Sequence, residues 1–126
     1  MRVPILKQRD YLIASVQAAL SDSDLALLCD ELVMQVGVHR SHGVIIDVTA
    51  LDVLDSFAVR TLRTIAHMVQ LRGAATVIVG IQPDVAFAMV QLGLKFNTVE
   101  TALDLEEGLA LLHRRRQLGV GGPRAR

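Results

Sequence analysis

The chain has 126 residues, the usual size of a single domain, and its 13 Lys and Arg balance its 13 Asp and Glu, so the formal net charge is zero. A neutral chain has no overall basic field that would hold nucleic acid or an acidic membrane surface. Hydrophobic residues make up 52 % of the sequence, yet it holds only three Phe, one Tyr and no Trp. The surplus is aliphatic, and a small domain with such a surplus often buries part of it against partners. We therefore expect self-association.

Cysteine and histidine usage argues against a disulfide framework and against a bound metal. Cys29 is the only cysteine, so no disulfide can form within the chain. The four histidines show no zinc-type spacing with each other or with Cys29. The apolar run near the start is short and contains Gln17, and no run approaches the roughly 18 residues of a membrane span. We expect a cytoplasmic protein without metal or cofactor.

The first part of the chain predicts two strands and a helix. Two short runs, at about 3–7 and 10–16, are joined by a polar turn and predict a pair of strands. The next segment has candidate N-caps at 21–23 and a glycine, Gly37, where a C′ glycine would end a helix. The apolar residues between them repeat with helical spacing and predict one buried stripe, which consists of Leu25, Leu28, Cys29, Leu32, Val33 and Val36.

The middle of the chain predicts a helix between two buried strands. The continuous apolar run at 43–48 is rich in β-branched residues, which is typical of a fully buried strand, and the run at 75–81 has the same character. A helix is predicted between them, from about 56 to 72, with Gly73 as its end. Its buried face is expected to consist of Val59, Leu62, Ala66 and Val69.

The last part of the chain predicts two more helices and one short strand. Pro83 suits the first turn of a helix, and this helix should stop at Gly93. A short apolar piece follows at about 95–99, and a final helix is predicted from about 102 to 115. The buried face of that helix would consist of Leu105, Leu109 and Leu112.

The order of these elements predicts an α/β fold. Buried strands that alternate with amphipathic helices indicate a largely parallel sheet. We expect a mixed, mostly parallel sheet of four to five strands with about four helices, in which the N-terminal pair adds one antiparallel strand. The chain should form one domain over residues 1–116, followed by a flexible basic tail over residues 117–126.

One turn of the predicted fold carries most of the polar chemistry. In α/β folds functional residues gather where strands end and helices begin. The turn between the third strand and the second helix reads IDVTALDVLDSF, and it holds Asp47, Thr49, Asp52, Asp55 and Ser56. Asp55 or Ser56 can simply cap the helix. Alternatively, the hydroxyl of Ser56 is a place at which the protein is modified. The turn GIQPDV, before the next helix, is explained by its proline alone.

Two stretches of the sequence carry a resemblance to a known family. They read VIIDVTALDVLDSFAVRTL and TVIVGIQPDVAFAMVQLGL. Together they resemble the STAS domain, the fold of the bacterial anti-sigma-factor antagonists. The particular motifs DSF, GIQPDVA and LGL are similar to the RsbS family, the small STAS proteins of the bacterial stressosome. The resemblance covers about residues 3–113 and leaves the basic tail outside.

The resemblance implies a regulatory role without catalysis. It implies that Ser56, directly after Asp55, is phosphorylated by a partner kinase. It further implies co-assembly with RsbR-like STAS proteins, capture of an RsbT-like switch kinase that phosphorylation releases, and a PP2C-type phosphatase that resets the serine. The residues around the serine would then contact the kinase or the assembly, and they are Asp52, Asp55, Phe57 and Arg60.

One departure from the wider STAS pattern bears on the type of partner. Antagonists that bind anti-sigma factors directly usually have a small residue, often glycine, soon after the serine. Phe57 and Ala58 stand there in this chain, which favours the scaffold type. RsbR-type proteins also carry a phosphorylated threonine near the start of the first helix. This chain has only Ser and Asp at 21–24, so we predict no second site.

Three other functions stay open at the level of sequence. A direct anti-sigma-factor antagonist with phosphorylation-controlled binding would use the same Ser56. A response-regulator-like receiver would use Asp47 as phosphoacceptor, but the first strands supply no acidic pair for Mg²⁺ and Lys95 is a poor candidate for the required lysine. An enzyme could use Asp47, Asp52 and Asp55 as an acid–base or metal cluster, but no histidine, cysteine or Gly-rich phosphate loop joins them.

Overall fold

The described part of the protein forms one five-stranded sheet. Its structure, a computed structural model, describes residues 3–17, 20–93 and 99–121, with side chains as far as Gln117. The strands lie side by side in chain order, β1 antiparallel to β2 and all later neighbours parallel. This arrangement confirms the mixed, mostly parallel sheet. The strands are β1 (Ile5–Gln8), β2 (Tyr11–Ser15), β3 (Gly43–Asp47), β4 (Ala75–Val79) and β5 (Val99–Ala102).

Helices cover both faces of the sheet. They are α1 (Asp22–His39), α2 (Ser56–Leu71), α3 (Pro83–Gln91) and α4 (Leu105–Gly121). Because successive side chains of a strand point to opposite faces, each strand contributes to two cores. On one face, Ile46 and Ile78 pack with residues of α1, α2 and α3. On the other face, Ile45 and Val77 pack with residues of α4.

The predicted buried faces of the helices are confirmed, with refinements in α1 and α4. The α1 stripe is buried except for Val33, which is partly buried against the same core. All four residues predicted for α2 are buried, and Ile65 and Thr61 join them. In α4, Leu112 is buried and Leu105 and Leu109 pack partly buried around it.

The predicted end of α1 at Gly37 is wrong. The helix continues to His39, and Arg40 closes it in the left-handed conformation, with φ of 52° and its backbone N–H bonded to the carbonyl of Val36. Gly37 lies inside the last turn, where the guanidinium of Arg72 rests against it. A non-glycine residue therefore takes the left-handed position that the sequence pattern assigned to glycine.

The last strand and helix start later than the sequence predicted. β5 spans Val99–Ala102, so Ala102 ends a strand and does not begin α4. The helix begins at Leu105 because Asp104 accepts a hydrogen bond from the backbone N–H of Glu107 at 2.9 Å and Glu107 accepts one from Leu103 at 3.1 Å. The apolar piece at 95–98 lies outside the described residues. α4 continues to Gly121, residues 122–126 lie outside the described part, and the flexible tail stays a prediction.

Candidate functional site

The candidate site lies at the edge of the sheet where the parallel strands end. β2, β3, β4 and β5 run in the same direction, so the loops after them and the first turns of all four helices meet at this edge. The loop from Val48 to Asp55 joins β3 to α2 and carries the predicted site. Leu51 and Leu54 anchor it, because both are buried in the core under α1 and α2.

Asp55, and not Ser56, caps α2. Its backbone is extended, with φ of −95° and ψ of 175°, and its Oδ1 accepts a hydrogen bond from the backbone N–H of Ala58 at 2.8 Å. Ser56 is consequently the first residue of the helix and is exposed to solvent. Within the part of the chain that the structure describes, no group bonds to the Ser56 hydroxyl. The capping role that could have explained the serine is thus taken by its neighbour.

The other predicted site residues surround Ser56 with different exposures. Asp52 and Arg60 are exposed, whereas Phe57 is only partly exposed and packs against the core. The carbonyl of Phe57 accepts a hydrogen bond from Thr61 Oγ1 at 2.9 Å, which fixes this first turn. The edge therefore presents carboxylates, a hydroxyl and a guanidinium to a partner, and Phe57 contributes a smaller part of its surface.

The electrostatic environment of Ser56 is mixed. As the first residue of α2 it lies at the positive end of the helix, where a negative charge is favoured by about 0.3–1 kcal/mol. Arg60 follows four residues later, a spacing that places it on the same helix face as Ser56. Asp55 stands on the other side of the serine and would repel an added negative charge. A negative group added to Ser56 would thus be attracted by the helix end and by Arg60, and it would be repelled by Asp55.

A hydrogen-bonded cluster that the sequence did not predict holds the two loops of this edge together. Asp47 Oδ1 accepts bonds from the backbone N–H of Thr49 at 2.9 Å and from its Oγ1 at 2.6 Å. Gln82 Nε2, in the turn before α3, donates to the carbonyl of Thr49 at 2.7 Å. Gly80 has φ of +77°, and a Cβ there would lie 1.9 Å from Thr49 Oγ1. Asp47 thus organises the loop, and GIQPDV does more than start a helix.

Other chemistry of the chain lies away from this edge. Cys29 is buried in the core, and this burial raises the pKa of its thiol, with a smaller contribution from the charge of Asp30. Within the described ranges, no group of three or more His, Cys, Asp or Glu side chains is placed to hold a metal ion. No helix among those residues is long and apolar enough to cross a membrane.

Comparison with known proteins identifies the fold and its branch. The STAS domain family matches residues 3–108. The RsbT co-antagonist protein RsbRA of Bacillus subtilis is 32% identical over 82 residues, which make up 65% of this chain and 30% of RsbRA. The chain therefore spans under a third of that relative's length.

Two solved structures resemble almost the whole chain. A serine-to-glutamate variant of RsbS from Moorella thermoacetica superposes with a TM-score of 0.83 at 34% identity, covering 91% of this chain and 97% of that one. A chain from the stressosome, described as a signal integration and transduction hub, superposes with a TM-score of 0.81 at 34% identity, covering 90% and 99%. The chain belongs to the STAS domain family, and within that family it is similar to RsbS.

Proposed function

We propose that the protein is a regulatory scaffold of a stressosome, which holds an RsbT-like switch kinase and releases it when Ser56 is phosphorylated. One observation carries the proposal: Ser56 is the exposed first residue of α2, and Asp55 has already taken the capping role. Its hydroxyl can therefore accept a phosphoryl group without losing a hydrogen bond that the fold needs.

Phosphorylation at this position should change binding more than folding. It adds about −1.5 to −2 charges. The helix end favours that charge by about 0.3–1 kcal/mol, whereas a carboxylate at roughly 6 Å in water opposes it by about 1 kcal/mol. These contributions nearly cancel in water. In an interface the dianion loses its hydration, and a hundredfold loss of affinity requires only about 2.7 kcal/mol.

The name of one relative supports two of the remaining partners. RsbRA is named as a co-antagonist of RsbT, and this chain matches part of it. We therefore propose that RsbR-like STAS proteins co-assemble with this protein in the cytoplasm and that its kinase is RsbT-like. A PP2C-type phosphatase would remove the phosphoryl group. Asp52, Asp55, Phe57 and Arg60 would contact the kinase or the assembly.

The site assignment is tested by Ser56→Ala. We expect this variant to accept no phosphoryl group from the kinase in the presence of ATP, while it still captures the kinase. Thr64→Ala is the matched control, because Thr64 is an exposed hydroxyl in the same helix two turns later. Intact-mass spectrometry measures the modification. Labelling of Ser56→Ala to the extent of wild type would refute the site, and a base-labile acyl phosphate on Asp47 would indicate a receiver.

The release mechanism is tested by Ser56→Asp. A carboxylate carries about half the charge of a phosphoryl group and fewer acceptor oxygens, so this variant should bind the kinase more weakly than wild type but more strongly than the phosphorylated protein. Its melting temperature should shift little, because Ser56 lies outside the core. Calorimetric titration with the kinase and thermal unfolding measure the two effects. Full-strength binding by stoichiometrically phosphorylated protein would contradict the mechanism.

A further inference from the structure

An apolar cavity opens beside the start of α2. It has a volume of about 180 Å³ and lies between the loop after β2, the first turn of α1 and the loop before α2. Asp22 and Asp55 line it as the acidic groups of its rim, and Ala58 lines it from α2. Its apolar wall includes Val16, Leu20, Leu25, Val48, Leu51 and Leu54.

From this cavity we infer the anchor by which the kinase docks, an inference that rests on the function proposed above. One large apolar side chain of the kinase, aliphatic or aromatic, fills the cavity, and a Lys or Arg beside it pairs with Asp22 and Asp55. Single apolar anchors of this kind, placed in pockets at the centre of an interface, carry a large share of binding energy.

The exposure of Val53 supports an external occupant. Val53 also lines the cavity, yet 75% of its surface is exposed, while its neighbours Leu51 and Leu54 in the same loop are each only 7% exposed. The loop thus turns one aliphatic side chain outward at the mouth of an apolar cavity. An incoming apolar group would cover both the Val53 side chain and the opening of the cavity.

The rim explains the chemistry of the occupant and the effect of phosphorylation. Asp22 lies in the first turn of α1 and Asp55 caps α2, so two carboxylates flank the opening. They complement a cation that accompanies the apolar anchor. Phosphorylation of Ser56, next to Asp55, adds a dianion at this rim. One cation of the partner cannot offset the desolvation of both the phosphoryl group and the Asp55 carboxylate, and the anchor therefore leaves the cavity.

The inference is tested by filling the cavity from inside. Ala58→Leu adds a side chain that occupies the space the anchor requires, and it should lower kinase affinity at least tenfold, the order expected when one large apolar side chain is no longer buried. Ala110→Leu is the control, since Ala110 is exposed on α4.

Val53→Ser removes the exposed valine at the mouth of the cavity and should weaken kinase binding several-fold. Val38→Ser, at a similarly exposed position of α1, is its control and should not weaken binding.

These titrations distinguish failure of the anchor inference from failure of the proposed function. Weak binding by Ala58→Leu and Val53→Ser, with unchanged melting temperature and circular dichroism, supports the anchor. Wild-type affinity in both variants, with release on phosphorylation intact, overturns the anchor and leaves the proposed function standing. A wild-type protein that binds no kinase overturns both. If Ala58→Leu instead abolishes self-association and leaves kinase binding intact, the occupant is a second copy and the kinase anchor is refuted.

Discussion

Asp55 and Asp52 are two exposed carboxylates of one loop, but only one of them has a structural role. Asp55 accepts the backbone hydrogen bond that caps α2 at 2.8 Å. Asp52 makes no hydrogen bond or ion pair within the described residues. The sequence offered Asp55 and Ser56 as alternative caps of the helix, and only the backbone geometry distinguishes them, since both residue types are common caps. Because Asp55 is the cap, the first turn of α2 does not need the Ser56 hydroxyl.

We expect Asp55→Ala to destabilise the protein by about 1 kcal/mol, because an alanine cannot satisfy the free N–H groups of the first turn. This should lower the melting temperature by about 3–6 °C. Asp52→Ala, its matched control, should change stability by less than about 0.5 kcal/mol. Urea unfolding followed by circular dichroism measures both variants. Equal effects of the two substitutions would show that the cap contributes nothing beyond surface charge.

At the scale of elements, the sequence predicted the four helices and the first four strands of the described residues, but it placed the last strand too early and missed some of the ends. Apolar periodicity identified the elements because burial imposes it along each helix and strand. The ends depend on local hydrogen bonds with several possible solutions. Gly37 resembled a helix end, but Arg40 took the left-handed position three residues later. The bond that Gln82 Nε2 donates to the carbonyl of Thr49 joins two distant loops, and no local pattern reveals such a contact.

Two glycines inside helices should respond oppositely to substitution by alanine. A Cβ at Gly37 meets the guanidinium end of Arg72, whose exposed side chain can move. A Cβ at Gly108 lies 2.8 Å from Cγ1 of Val79, which is buried in the sheet and cannot move freely.

We therefore expect Gly37→Ala to stabilise the protein by about 0.5–1 kcal/mol through helix propensity. Gly108→Ala should lower the free energy of unfolding by about 1 kcal/mol or more, because the added methyl group overpacks the space between α4 and the sheet. Urea unfolding of the two variants compares them directly. Destabilisation by Gly37→Ala would show that the position of the Arg72 side chain over α1 is itself needed for stability.

At the scale of the molecule, a net charge of zero conceals a separation of charge. Arg40 and Arg72 are the C-caps of α1 and α2 at the opposite end of the sheet, and Arg115 pairs there with Glu100 at 2.6 Å. This distribution complements the helix dipoles at both ends. The acidic caps and first turns all lie at the edge that carries Ser56, and they are Asp22, Asp24, Asp55, Asp84, Glu106 and Glu107. A partner at that edge meets an acidic surface although the chain as a whole is neutral.

The apolar surplus divides between the core and the surface. Among the large apolar side chains, Met89 is fully buried, Phe57 packs partly against the core, and Met68 is 38% exposed. Phe87 is 67% exposed, and Leu94 and Phe96 lie outside the described residues. Val90, three residues after Phe87, is 69% exposed, so α3 presents an apolar pair to solvent. Self-association stays a prediction, and this pair is where we expect part of its surface.

The double substitution Phe87→Ser and Val90→Ser should reduce self-association while the melting temperature changes little, because both side chains are already largely exposed in the single chain. Phe57→Ala should instead lower the melting temperature, since it removes a side chain that packs on the core. Sedimentation velocity of wild type and both variants, alone and with the RsbR-like partner, measures the assembly. We expect wild type to sediment at least as a dimer at tens of micromolar. If wild type is a clean monomer under both conditions, the exposed pair on α3 is ordinary surface. If the assembly survives the double substitution, its contacts lie on another face, such as that of the exposed Leu27, Met34 and Val38 of α1.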